Sequence, residues 1–269
     1  MPYPLIFLLA VCTTNLWGQS ECGVNNHAFS SGEVLHYQVV YNWGAIWIES
    51  AEGTFSVLPS LVKGHPGYRL IGTGFTYPKY NWIYKVQDDF ESFLDSATFR
   101  PLRFRATIHE GSKHEKHDYF FNNLTHKVYT SIQRGSANIR VDSLKIGSCT
   151  VDVLTAIYFA RNLDYSACKV NDTLTMSLLL DNKLYPIYIR YLGKAVYEDK
   201  ALGKFNCVKF SPLLVEGTIF KGGEGMTVWV SDDRNKIPLY IETPIIVGTI
   251  KVKLTRFEGL RNQMDSKIH

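Results

Sequence analysis

What the chain lacks narrows its class first. Its 269 residues contain no apolar run near the ~18 needed for a membrane-spanning helix. There is no Cys-x-x-Cys pair, so neither a zinc ribbon nor a thioredoxin-like redox site is expected. No Gly-x-Ser-x-Gly elbow offers a serine nucleophile. Gly222-Gly223-Glu224-Gly225 has no Lys-Ser or Lys-Thr to hold a phosphate, and reads as a turn free to take positive φ. No block of Lys and Arg is longer than two, and 29 basic against 25 acidic residues leave a net charge of +4, too mild to point to nucleic acid. Nothing here implies a cofactor. Methionine is scarce, with 4 residues, whereas 16 Tyr and 15 Phe bias the chain toward strands. With 45% apolar residues the chain can fill a core, and at this length it needs no metal merely to fold.

The first 20 residues carry no Lys, Arg, Asp or Glu, and Leu5 to Cys12 form an eight-residue apolar run. That is the length of a signal-peptide core and too short to cross a bilayer. Residues 1–18 are therefore read as a signal peptide cut after Gly18, and 19–269 as one antiparallel β domain exported to the periplasm or cell envelope. Leu9-Ala10-Val11-Cys12 partly resembles a lipoprotein cleavage box, but bulky Val11 stands where Gly or Ala is usual, which argues against a lipid anchor on Cys12. Four cysteines would remain, and four allow three pairings. Cys149 and Cys168 bracket a predicted helix and could close it as a loop; Cys22 could instead pin the mature N-terminus to the strand of Cys207. Buried free thiols are the plain alternative.

Most of the chain reads with period two. Leu35 to Trp43, Trp82 to Val86 continuing to Leu94, Leu102 to Ile108, Leu174 to Leu180, Tyr185 to Tyr191 and Ile250 to Leu254 all alternate apolar with polar. Such alternation puts one face in a core and the other in water. Turn residues separate the runs at Lys63 to Gly67, Glu110 to Ser112, Gly222-Gly223 and Asp232 to Asn235. One segment differs. Val151 to Leu163 has helical spacing, is apolar on most sides, and has Ser148 or Thr150 available as a cap. The fold class expected is all-β and mainly antiparallel: a large β-barrel or open half-barrel with one buried central helix near residues 150–163, joining two β halves.

Lys209 to Leu254, with SPLLVEGTIFKGGE followed by VWVSDDRNKIP, resembles an exported bacterial family, domain of unknown function 3108. So do Tyr41-Asn42-Trp43-Gly44, Tyr80 to Leu94, Pro101 to Phe104 and Asp152 to Asp164. The likeness covers roughly residues 28–262. It implies an envelope-associated, large antiparallel β fold and supplies no catalytic residue. VWVSDDRNKIPLYIE also resembles a strand–turn–strand unit of periplasmic lipoprotein carriers with open half-barrels.

Three features invite chemistry. His109, His114 and His117 flank the Gly111 turn with Glu110, Glu115 and Asp118, a donor set that suits zinc. His114 and His117, three apart, would point to opposite faces of a strand, so a solvated hairpin tip is preferred and no metal site is assigned. Asp88, Asp89 and Glu91 interrupt an aromatic run and could serve a carboxylate-dependent hydrolase. An inward Asp88 bridged by Arg103 or Arg105 is the more economical reading. The third feature is an aromatic surplus, which suits a cavity for an apolar or amphipathic small molecule or lipid as well as it suits a packed core. The expected function is a non-catalytic binder or carrier, lined by Trp43, Trp47, Trp82, Tyr84 and Tyr158, with Asp88 and Arg161 as polar rim groups. The rival from another class is an assembly factor that takes an envelope protein along an open sheet edge.

Overall fold

The computed structural model describes residues 24–43, 46–62, 64–216, 222–246 and 248–268. The expected leader, Cys12 and Cys22 lie outside the described residues.

Among the described residues, the alternating segments form one sheet of 16 strands. The first eight make an antiparallel meander: β1 (Val34–Trp43), β2 (Ile46–Val62), β3 (His65–Thr76), β4 (Gln87–Asp95), β5 (Pro101–Glu110), β6 (Lys113–Asn122), β7 (Lys127–Arg134) and β8 (Arg140–Lys145). Next come a two-residue strand, β9 (Thr150–Val151), and α1 (Val153–Ala160), the one α-helix among the described residues. A second meander follows: β10 (Thr173–Leu180), β11 (Lys183–Asp199), β12 (Gly203–Pro212), β13 (Thr227–Ser231), β14 (Pro238–Pro244) and β15 (Thr249–Glu258). Short β16 (Lys267–Ile268) pairs with β12. The two meanders join where β1 pairs with β15, Tyr37 opposite Leu254 and Val39 opposite Val252. The edges of the sheet are therefore β8 and β9.

The sheet curls until its far ends touch through side chains. The β10–β11 turn, Asp181-Asn182, has both residues at positive φ (49° and 60°), the geometry of a tight hairpin. Thr130 Oγ1 on β7 donates to Asn182 Oδ1 (2.6 Å), and Asn182 Nδ2 donates to Asp142 Oδ2 on β8 (2.8 Å). The result is an open, barrel-like trough.

Helix α1 starts later than its periodicity suggests. Thr150-Val151 pairs in parallel with Ser177-Leu178 of β10, so those residues are strand and the cap falls on Asp152. Asp152 accepts from the backbone N–H and the hydroxyl of Thr155 (2.8 and 2.6 Å) and from Ser92 Oγ on β4 (2.8 Å). The apolar faces of the helix enter a core drawn from both meanders: Leu154, Tyr158 and Phe159 with Leu70, Leu94, Phe104, Tyr119, Leu179, Ile189 and Phe210. The approach to β3 is close. A Cβ on Gly72 would sit 3.1 Å from the Phe55 ring and 3.4 Å from Leu154 Cδ1.

One predicted strand is a loop. Trp82, Tyr84 and Val86 fall two residues apart, but Pro78 opens a 3₁₀ turn (Pro78–Tyr80) and β4 begins only at Gln87. Tyr80 N–H donates to the Tyr77 carbonyl (2.8 Å) and Ile83 N–H to the Tyr80 carbonyl (2.9 Å). Proline pre-sets this φ and supplies no ladder donor. Likewise His65-Pro66-Gly67, read as a turn, already belongs to β3.

Both expected disulfides are corrected. Cys149 is disulfide-bonded, while Cys168 and Cys207 are free thiols. Neither Cys149–Cys168 nor Cys22–Cys207 therefore exists, and the partner of Cys149 lies outside the described residues. Burial pushes the Cys207 thiol up to about 12 against the opposing pull of a backbone hydrogen bond, as expected of a cysteine acting as a small hydrophobe in β12.

A half-open apolar pocket at the mouth of the trough

Strand direction alternates, so the β1–β2, β3–β4, β5–β6 and β14–β15 connections emerge at one end of the trough, the mouth. The C-terminus of α1 and the segment before β1 close the other end, the base. There Arg161, just past α1, pairs with Glu33 and donates to the Asn235 carbonyl. The helix end is thus filled and the mouth end is hollow.

The hollow is a pocket of about 470 Å³. On its sheet side Tyr41 of β1 stands between Ile48 of β2 and Ile250 of β15, with Val39 one step deeper. A bulge at Val39/Val40 leaves Ser50 unpaired in the β1–β2 register. Ser50 and Ala51 consequently both reach the pocket wall. The β3–β4 connection contributes Tyr80, Ile83, Tyr84 and Val86, and the β14–β15 connection contributes Ile245 and Ile246. Ser50, Thr76, Tyr41, Tyr80 and Tyr84 are the lining residues that carry a polar side-chain group, the Ser50 and Thr76 hydroxyls donating to the Val39 and Tyr84 carbonyls; the rest of the lining is hydrocarbon. Binding pockets for small apolar molecules have this size and make-up.

The β3–β4 connection is pinned in place. Thr76 N–H donates to the Val86 carbonyl (3.0 Å), Thr76 Oγ1 donates to the Tyr84 carbonyl (3.2 Å), and Tyr77 N–H donates to the Ser50 carbonyl (2.9 Å). Gly111, in the β5–β6 turn, donates to the Lys85 carbonyl (2.8 Å) and packs against the Tyr84 ring. Burial, then the charges of Glu110 and Asp88, push the Tyr84 phenol up, so it stays a neutral hydrogen-bonding group.

The residues singled out from sequence separate into three places. Tyr84 lines the pocket. Asp88, on the inner face of β4 nearby, is 9% exposed and accepts from the His109 N–H (2.9 Å). Trp47 and Trp82 stand on the outside of the mouth, 47% and 82% exposed, with the Lys251 ammonium 3.9 Å from the Trp47 ring centre. Tyr158 and Arg161 are buried at the base, far along the trough from the pocket, where the guanidinium lies over the Tyr158 ring. The side chain of Trp43 lies outside the described residues. Sequence reading missed Val39, Tyr41, Ile48, Val86, Ile245, Ile246 and Ile250. Ile46-Trp47-Ile48 and Pro244-Ile245-Ile246 were the available signals: apolar runs beside turns, where residues are usually polar.

The ion pair expected for Asp88 is also corrected. Arg103 makes a two-pronged pair with Asp118 (2.9 and 2.6 Å), and Arg105 lies 3.7 Å from Glu91, which Arg69 also holds. The β4–β5 register puts Glu91 opposite Arg105 on the outer face, whereas Asp88 faces in. Asp88 and Asp89, as neighbours on a strand, point to opposite faces and do not form a catalytic carboxylate pair.

The histidines divide in the same way. His109 and His114 face each other across β5–β6 with ring centres 4.9 Å apart. His117 points inward, with Nε2 2.8 Å from Glu115 Oε2 and Nδ1 2.9 Å from the Tyr119 hydroxyl. Asp181 of the β10–β11 turn completes a triad whose ligand atoms lie within 4.8 Å of one another. Arg134 already spans its acids, at 3.0 Å from Glu115 and 3.5 Å from Asp181. Burial raises Glu115, but His117, Lys113 and Arg134 outweigh it and hold the carboxyl below its ordinary value. This is a filled ion-pair cluster that latches the β10–β11 turn onto β6 and β7.

Comparison with known proteins agrees with this architecture. The family model described as Protein of unknown function (DUF3108) matches residues 36–255. No curated protein matches the chain. Among solved structures, a beta-barrel-like protein of the domain of unknown function DUF1849 from Brucella abortus superposes with a TM-score of 0.53 at 11% identity, covering 84% of this chain and 96% of that one. At that identity the likeness is one of fold alone. No helix among the described residues is long and apolar enough to cross a membrane.

Proposed function

The chain belongs to the DUF3108 family of proteins of unknown function, and from that premise we propose that it is an exported, non-catalytic carrier holding an apolar or amphipathic ligand in the mouth pocket. The observation that supports this most is the pocket itself: about 470 Å³, hydrocarbon-walled, half-open, with a few phenols and hydroxyls to orient a polar end. The disulfide at Cys149 suits an oxidising compartment and so supports export. The carboxylates a hydrolase would need are engaged by arginines, as Glu91 is, or divided between two faces, as Asp88 and Asp89 are. The sheet edges favour partner binding less. β8 presents Arg140, Asp142 and Lys145, and β9 has only two residues, so both edges are guarded.

The test is a titration of the purified exported protein with the apolar fluorophore N-phenylnaphthylamine, followed by displacement with palmitate. Saturable uptake is expected, with at least about a tenfold loss in Ala51→Trp, which fills the cavity from its wall. Unchanged thermal unfolding would show that the variant is folded. Wild-type protein that takes up no fluorophore would overturn the reading.

A further inference from the structure

The mouth is ringed by apolar side chains that the pocket does not need. Ile46, Trp47, Trp82 and Ile246 are all more than 45% exposed, and of these only Ile246 lines the cavity. Ile46 and Trp47 open β2, Trp82 lies in the β3–β4 connection and Ile246 in the β14–β15 connection, and these ends emerge side by side because β3, β2, β1, β15 and β14 are neighbours in the sheet. A contiguous exposed apolar patch marks an interaction surface.

Charge in these tips has one sign. Residues 43–48, 77–86 and 243–250 contain no Asp or Glu and two lysines, Lys79 and Lys85. The nearest acids, Glu49, Asp88, Glu110 and Glu242, belong to the strands behind the tips, as does Glu52, which accepts from the Tyr77 hydroxyl. Lys79 carries its ammonium 4.8 Å from the Tyr80 ring centre, and Lys251 lies 3.9 Å from that of Trp47. Each ammonium rests against an aromatic ring, and lysine beside tryptophan or tyrosine is a combination found where protein meets the headgroup layer of a bilayer. On such a surface, tryptophan and isoleucine enter the shallow apolar layer and lysines meet anionic headgroups.

We propose that this rim docks on an anionic lipid bilayer, so that the pocket opens directly into the membrane and its ligand is an acyl-chain amphiphile exchanged there. The docking stands on the rim; what is exchanged rests on the pocket reading above. The hydrocarbon wall of the pocket runs through Ile83, Tyr84 and Ile246 into the exposed rim, giving an acyl chain a continuous apolar path. A partner that is a second copy of this chain would have to bury the same lysines against each other.

The experiment is flotation of the purified exported protein with vesicles of phosphatidylcholine alone or mixed with phosphatidylglycerol. Wild-type protein is expected to float with the mixed vesicles. Ile46→Ser with Trp82→Ser should weaken flotation at least tenfold, and Lys79→Glu with Lys85→Glu should weaken it selectively on the anionic vesicles. The first pair does not line the pocket, so its uptake of N-phenylnaphthylamine in solution should stay unchanged, which also shows that it folds. Flotation of neither composition, or equal flotation of wild type and Ile46→Ser/Trp82→Ser, overturns the docking. So does a concentration-dependent dimer, seen by sedimentation, that the same substitutions abolish. Fluorophore uptake without flotation sinks the docking alone, and flotation without uptake sinks the pocket reading alone.

Discussion

Arg161, at the end of α1, places Nη1 and Nη2 2.6 and 2.8 Å from the two carboxylate oxygens of Glu33, although 128 residues separate them in the chain. Both side chains are buried, and Arg161 Nε and Nη2 also donate to the Asn235 carbonyl at 3.1 and 3.0 Å. This single side chain therefore fastens the helix, the segment before β1 and the β13–β14 turn at the base of the trough. Removing one member of such a pair strands a charge in a dry interior. Arg161→Met is expected to cost about 3–5 kcal/mol, read from the urea midpoint of unfolding. Adding Glu33→Leu to it should recover part of that loss, because the orphaned carboxylate is gone. A fluorophore titration at 25 °C should change little, since the pocket lies at the other end.

A second expectation concerns acid. Burial pushes the Asp88 carboxyl above its ordinary 3.8, while the His109 N–H and Lys113 pull it back only in part. The folded state thus holds this proton more tightly than the unfolded chain does. Asp88 favours folding at low pH, and that contribution is lost as pH rises from the unfolded value through the raised folded one. Asp88→Asn keeps an oxygen for the His109 N–H and cannot ionise. It should be at least as stable as wild type at pH 7, and the difference should vanish below about pH 4. Chemical unfolding at a series of pH values checks both the sign and the window; a variant less stable at pH 7 would show that the charge itself is needed.

How much of this was legible beforehand depends on what holds each element. The alternation of Leu35 to Trp43 or Leu102 to Ile108 survives because a half-buried strand must repeat every two residues. The helix was visible because Leu154, Tyr158 and Phe159 recur at helical spacing, but its start was not, since Thr150-Val151 is claimed by a parallel ladder with residues 27 positions away. Trp82 and Tyr84 carry the same period as a strand, and Pro78, four residues upstream of Trp82, decides otherwise. The pocket is less legible still. Ile48, Val86, Ile246 and Ile250 converge only because the first and last long strands meet, a contact between positions some 200 apart that no local pattern encodes.

The thiols should separate cleanly under alkylation. Cys207 has no exposed surface and its thiol is pushed up to about 12, so the thiolate is both scarce and inaccessible. Cys168 lies part-exposed beside the β10 entry, with its thiol raised more modestly by burial and by Asp172 and Asp164. Iodoacetamide on native protein at pH 8, read by peptide mass mapping, should modify Cys168 well before Cys207. Cys149 should react only after reduction. Early labelling of Cys207 would mean that β12 opens locally near the edge where β16 pairs.

Gly111 ties backbone geometry to the pocket wall. Its φ is +59°, and a Cβ there would meet Tyr84 Cε2 at 2.9 Å. Gly111→Ala therefore carries two penalties. The left-handed backbone costs roughly 1–2 kcal/mol for a residue with a side chain. The methyl also has to push the Tyr84 ring off the turn, toward or out of the cavity it lines. The first effect lowers the unfolding midpoint; the second changes the shape of the pocket. Fluorophore affinity is expected to fall severalfold more than in Gly135→Ala. That control also has positive φ, at 56°, but nothing lies within 4 Å of its added methyl. Equal losses in the two variants would show that backbone strain alone is at work and that Tyr84 does not shape the binding wall.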